Sequence, residues 1–71
     1  MKNLTQSQWE LLRSLCGDGG GSIVPLRGSF KSAFKTLERN GLAIIDPYNR
    51  DCARSTATGM ALWNEKGASH R

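Results

Sequence analysis

The sequence predicts a small α+β domain in the order helix, short strand, helix, two-stranded hairpin, helix. Three observations carry this. Residues 5–16 and 29–41 each hold an apolar stripe at helical spacing between residues suited to cap a helix. Residues 42–46 and 52–55 are short apolar runs separated by turn formers, which is a hairpin pattern. Four glycines within residues 17–22 make a turn that cannot stay helical.

The first helix starts at Thr5 as N-cap. Gln8, three residues later, completes a capping box, and Leu4 and Trp9 fall at the two positions of a hydrophobic staple. Leu12, Leu15 and Cys16 continue the stripe, Leu11 lies on its border, and Gly17 ends it. The glycine turn follows. It is no phosphate-binding loop, because Ile23-Val24-Pro25 stand where a Lys-Ser/Thr pair would open a helix. Ile23 and Val24 read as a short strand, with Pro25 at an edge or strand end.

Ser29 is read as the cap of the second helix, whose buried stripe is Phe30, Ala33, Phe34 and Leu37. Asn40-Gly41 closes it, with Gly41 in the left-handed conformation and Leu42 placed to touch Leu37 in a Schellman motif. "LAIID", residues 42–46, and "CARS", residues 52–55, form the hairpin around "PYNRD". Thr56 caps a last helix carrying Met60, Ala61 and Trp63, which Gly67 ends. Residues 67–71 read as a frayed tail.

Seventy-one residues make one domain, 1–71. A net charge of +4 favours an anionic partner. Cys16 and Cys52 are in no CxxC pair, and the single histidine, His70, is in the tail, so no metal site is expected. The start "MKNLTQSQW" has no apolar run after its lysine, and no run approaches membrane-spanning length. The expectation is a cytoplasmic protein with two reduced thiols, or one disulfide where Cys16 and Cys52 meet, and with no membrane association and no cofactor. Ser and Thr hydroxyls lack a histidine base within the folded part, and no acid pair stands out. The chain is therefore read as a non-enzyme without catalytic residues.

Three segments resemble the DNA-binding domain of the MarR family. "LTQSQWELLRSL" resembles its LTxxQWxxLxxL opening. "TLERNGLAII" resembles the LExxGLV segment joining recognition helix to wing. "STATGMAL" resembles its T-x-x-G-x-x-L after the wing. The match runs from about residue 4 to 63. The resemblance implies a winged helix-turn-helix and double-stranded DNA as partner. Two departures qualify it. "CGDGGGSIVPLRG" stands where the family has a full positioning helix, which is therefore shortened or absent. The terminal helices that build the family's dimer and effector pocket have no counterpart, so a small-molecule sensor is not expected. The size resembles minimal winged-helix proteins of phages and mobile elements, which act as repressors or recombination accessory factors.

At about 100° per residue, Lys31, Lys35 and Arg39 form one drifting row with Ser32 beside it, roughly 130° from the apolar stripe. In a winged helix that outward face enters the major groove. Arg27 approaches the same helix. Arg50 and Tyr48 stand near the hairpin tip, where a wing touches DNA, while Arg54 either joins them or points back along the sheet. The alternative is a solvated face in which Lys35 and Arg39 pair weakly with Glu38. Six cations against three acids between residues 27 and 54 tip the balance toward DNA. Asp46 and Asp51 flank the tip and oppose phosphate there. Trp9 and Trp63 read as core rather than base-stacking platforms.

Two classes of function follow. One is a DNA-binding module, a transcriptional regulator or recombination accessory, for which a homodimer would supply enough contacts. The other uses the same scaffold to bind a host protein or nucleoprotein complex, as a phage-encoded inhibitor of a defence system (anti-CRISPR-like) would.

Overall fold

The computed structural model describes residues 4–17, 19 and 22–66. The elements run α1 (Gln6–Cys16), β1 (Val24–Pro25), α2 (Ser29–Arg39), β2 (Ala43–Ile45), β3 (Cys52–Ser55) and α3 (Ala57–Lys66). This is a small α+β domain of three helices and one three-stranded antiparallel sheet in the order β1-β3-β2. Gly67, His70 and the tail, and residues 18, 20 and 21 of the glycine turn, lie outside the described residues.

α1 begins as its sequence predicts. The Thr5 hydroxyl accepts from the Gln8 amide, and the Gln8 side chain accepts from the Thr5 amide at 2.9 Å. These two bonds satisfy donors that a helix start leaves open. Leu4 and Trp9 both pack on the core, and the Trp9 ring lies 6.4 Å from Trp63 at a tilt of 50°. Leu11 is no border residue: it is fully buried with Leu12, Leu15 and Cys16. The reason is that α1 meets α2, α3 and the sheet, so its buried arc is wider than one stripe. The helix stops at Gly17, whose amide donates to the Arg13 carbonyl at 2.7 Å.

α2 enters differently from the sequence reading. Ser29 is its first helical residue, and the N-cap is Gly28 at φ 56°, with no side-chain cap. A backbone turn replaces the hydroxyl: the Phe30 amide donates to the Arg27 carbonyl and Lys31 to Gly28. Only glycine enters such a φ cheaply. The other end matches the prediction. Gly41 sits at φ 75°, the Leu42 amide donates to Leu37 at 2.8 Å, and the Gly41 amide donates to Glu38 at 3.0 Å. These are the two bonds of a Schellman motif, and Leu37 and Leu42 are both fully buried beside them.

The hairpin forms as read, and "CARS" is β3. Leu42 and Asp46 fall just outside β2 yet extend its ladder: the Thr56 amide donates to Leu42 and the Asp46 amide to Cys52. The sheet is wider than the hairpin, however. Val24 pairs with Ala53 and Pro25 with Cys52, which makes β3 the central strand. Pro25 lies on the outer strand, where a missing N–H costs least. Between α1 and α2 no described residue is helical, so the link is carried by β1 and loops.

Thr56 caps α3, accepting from the Gly59 amide at 3.0 Å. The buried face of α3 is Gly59, Leu62 and Trp63. Met60 is half-buried and Ala61 exposed, because the face repeats at three and four residues. Cys16 and Cys52 are buried and in no disulfide, and only Cys16 belongs to the core cluster. Among the described residues, no helix is long and apolar enough to cross a membrane.

Candidate nucleic-acid interface

α2 presents two faces. Ala33, Phe34 and Leu37 are buried, while Lys31, Ser32, Lys35, Glu38 and Arg39 are exposed. The apolar stripe dictates this. Burying Phe34 and Leu37 fixes the rotation of the helix, and the cations, spaced four residues apart, turn outward together.

The turn after β2 is built by two acceptors. Asp46 Oδ2 accepts from the Tyr48 amide at 3.2 Å, and Asn49 Oδ1 from the Asp51 amide at 3.2 Å. Backbone bonds from Asn49 to the Asp46 carbonyl and from Cys52 to the Asn49 carbonyl close it. Asn and Asp favour turns because their short side chains bond the backbone two residues on. The turn is tied to the exit of β1 by the Leu26 amide, which donates to the Asp51 carbonyl at 3.0 Å.

That tie sets the turn opposite α2. Between them lies a cleft of about 380 Å³, with Lys31, Ser32 and Lys35 on one wall and Arg50 on the other, over Leu26 and Phe34. Glu38 and Asp51 contribute carboxylates to it. A second cleft of about 820 Å³ adjoins it through Leu26, Lys31 and Asp51, and adds Arg27 and Asn49. The structure thus brings together Arg27, Lys31, Ser32, Lys35 and Arg50.

Three other sequence-predicted site residues stand apart. Arg39 lines neither cleft, being one turn further along α2 than Lys35. Tyr48 lines neither and is 94% exposed. Arg54 is on the sheet, 3.8 Å from Asp46.

The charges are distributed unevenly. Among the described residues Arg27, Lys31, Lys35, Arg39 and Arg50 form no ion pair, and neither does Glu38. The weak pairing of Glu38 with Lys35 or Arg39 does not form. Asp46 is not exposed at the tip, where the sequence reading set it against phosphate. It is only 5% exposed, with one oxygen held by the Tyr48 amide and the other facing Arg54. Asp51 stays exposed at the cleft.

Leu26 was missed as a site residue, and Glu38 and Asp51 were not placed facing a cleft. No local signal marks them, because their grouping depends on the β1–β3 register. Trp63 is buried and Trp9 is half-buried against the core. Among the described residues, no three His, Cys, Asp or Glu side chains gather to hold a metal ion. No family model matches the chain, and neither a curated protein nor a solved structure is significantly similar to it.

Proposed function

We propose that this chain binds double-stranded DNA in the manner of a winged helix. In this reading α2 lies in the major groove and the β2–β3 turn touches the flanking backbone. The carrying observation is the convergence of Arg27, Lys31, Lys35 and Arg50, none of them ion-paired among the described residues, around two adjoining clefts between α2 and the turn. Free cations on one surface attract phosphate and release its counterions on contact. Ser32, between Lys31 and the helix's later turns, is the small hydroxyl suited to a base edge. A transcriptional regulator or recombination accessory factor is the role that fits a domain of this size.

The test is DNA binding by fluorescence anisotropy across a salt series. Binding that weakens steeply with salt supports the reading. Absence of salt-dependent binding at low ionic strength ends it.

A second reading has its own observation. Tyr48 is almost wholly exposed on a turn held by two side-chain acceptors, and Glu38 and Asp51 set carboxylates among the cations. An exposed aromatic on the same turn that contributes Arg50 and Asp51 to a cleft of mixed charge suits a protein surface. Under this reading the chain grips a host protein or nucleoprotein complex, and the anisotropy series shows no DNA binding.

A further inference from the structure

Ile23, Arg54 and Ile44 form one row across the sheet. Ile44 lies opposite Arg54 in the β2–β3 register. Val24 opposite Ala53 sets Ile23 beside Arg54 on the other side. Alternate strand positions share a face. Val24, Ala43, Ile45 and Ala53 are the sheet residues that join the core, so the row points away from the helices. Ile23 is 47% exposed and Ile44 45%. They are two of the three large apolar side chains exposed among the described residues.

We propose that this face docks a second copy of the chain. Charge argues for it. The chain carries +4, and among the described residues the cations without ion pairs are Arg27, Lys31, Lys35, Arg39 and Arg50, on α2, just before it and on the turn, together with Arg13 on α1; none lies on the sheet row. A phosphate backbone or an acidic protein is drawn there. The sheet row is different, because Arg54 leans diagonally to Asp46 and is compensated within its own copy. Two like-charged copies approach with least repulsion at a face whose charges already cancel.

The pattern of the row argues for it too. Apolar, cation, apolar reads the same from either end. A two-fold axis near Arg54 therefore sets Ile23 of each copy on Ile44 of the other, the self-complementary contact of an isologous dimer. The lean toward Asp46 carries the guanidinium off that axis. The patch is small, so the dimer is weaker than a standard-sized interface would give.

Sedimentation equilibrium over a wide range of protein concentration, without nucleic acid, tests this apart from the DNA reading. The full chain should show a reversible monomer–dimer equilibrium. Ile44→Thr keeps a β-branched side chain and should raise the dimer dissociation constant roughly tenfold. Ile23→Glu should leave only monomer, and Lys35→Ala should leave the equilibrium unchanged. A wild type that stays monomeric throughout overturns the proposal. So does an Ile44→Thr chain that dimerises as wild type, or a Lys35→Ala chain that loses the dimer. If Ile23→Glu fails to fold by circular dichroism, Ile44→Thr decides alone.

Discussion

Thr56 is bonded to Gly41 across fifteen positions of sequence: its hydroxyl donates to the Gly41 carbonyl while accepting from the Gly59 amide. Its own amide donates to Leu42 at 3.2 Å. One residue thus caps α3 and clamps it to the C-terminal turn of α2. Gly59 completes the clamp. A Cβ built there would lie 2.1 Å from the Leu42 carbonyl oxygen, so the two backbones approach as closely as glycine permits.

Thr56→Val removes both hydroxyl bonds and should cost about 1–2 kcal/mol, whereas Thr56→Ser should recover most of it. Thermal melts of the three proteins check this. For a domain of this size about 1 kcal/mol moves the midpoint by roughly 4–8 °C. Equal melting of Val and Ser variants would show that the clamp does not matter.

Gly59→Ala should be more damaging than alanine at an ordinary helix position, where it helps. The added methyl meets backbone, which cannot swing aside as a flexible side chain would. A loss of about 1–3 kcal/mol is expected, as for other overpacked sites. A melting temperature at or above wild type would refute the close approach.

Gly41→Val tests the end of α2. A side chain at Gly41 has nothing within 4 Å of its Cβ, so no clash enters. The cost comes from φ 75°, which a β-branched residue tolerates badly. Denaturant unfolding should show a loss exceeding the roughly 1–2 kcal/mol of a simple left-handed penalty. A neutral outcome contradicts the Schellman geometry.

Phe34→Ala removes a 6%-exposed ring from the centre of α2. Core Phe→Ala changes cost about 3–5 kcal/mol, close to the whole stability of so small a domain. Circular dichroism should show a largely unfolded chain at room temperature. A variant melting within a few degrees of wild type would misplace the buried face.

Lys35→Ala with Arg39→Ala probes the proposed DNA surface. Both side chains are exposed, so folding should survive. If both touch phosphate, the plot of log affinity against log salt flattens by about two units, near 0.9 per contact. Arg39 lines neither cleft, so Lys31→Ala with Lys35→Ala should lose at least as much. Wild-type affinity in both double variants would move the interface elsewhere.

The parts of the fold whose bonds close within a few residues were legible in the sequence alone. The Thr5–Gln8 box spans three positions, the Schellman bond from Leu42 to Leu37 spans five, and the Thr56 cap on Gly59 spans three. The outward turn of Lys31, Lys35 and Arg39 was legible for the same reason, since a helix's period is local and its apolar stripe sets its rotation. Tertiary structure decided what depends on distant partners. Val24 has no local reason to choose Ala53, twenty-nine positions on, yet that pairing adds the third strand and ties Leu26 to Asp51. Leu11 is buried because two helices flank it, and Asp46 because Arg54 and a turn amide meet its carboxylate. The closeness of Arg27 and Arg50 around adjoining clefts belongs to this second class. Their separation in space follows from strand register, and register is a choice among alternative non-local pairings that side-chain pattern alone does not rank.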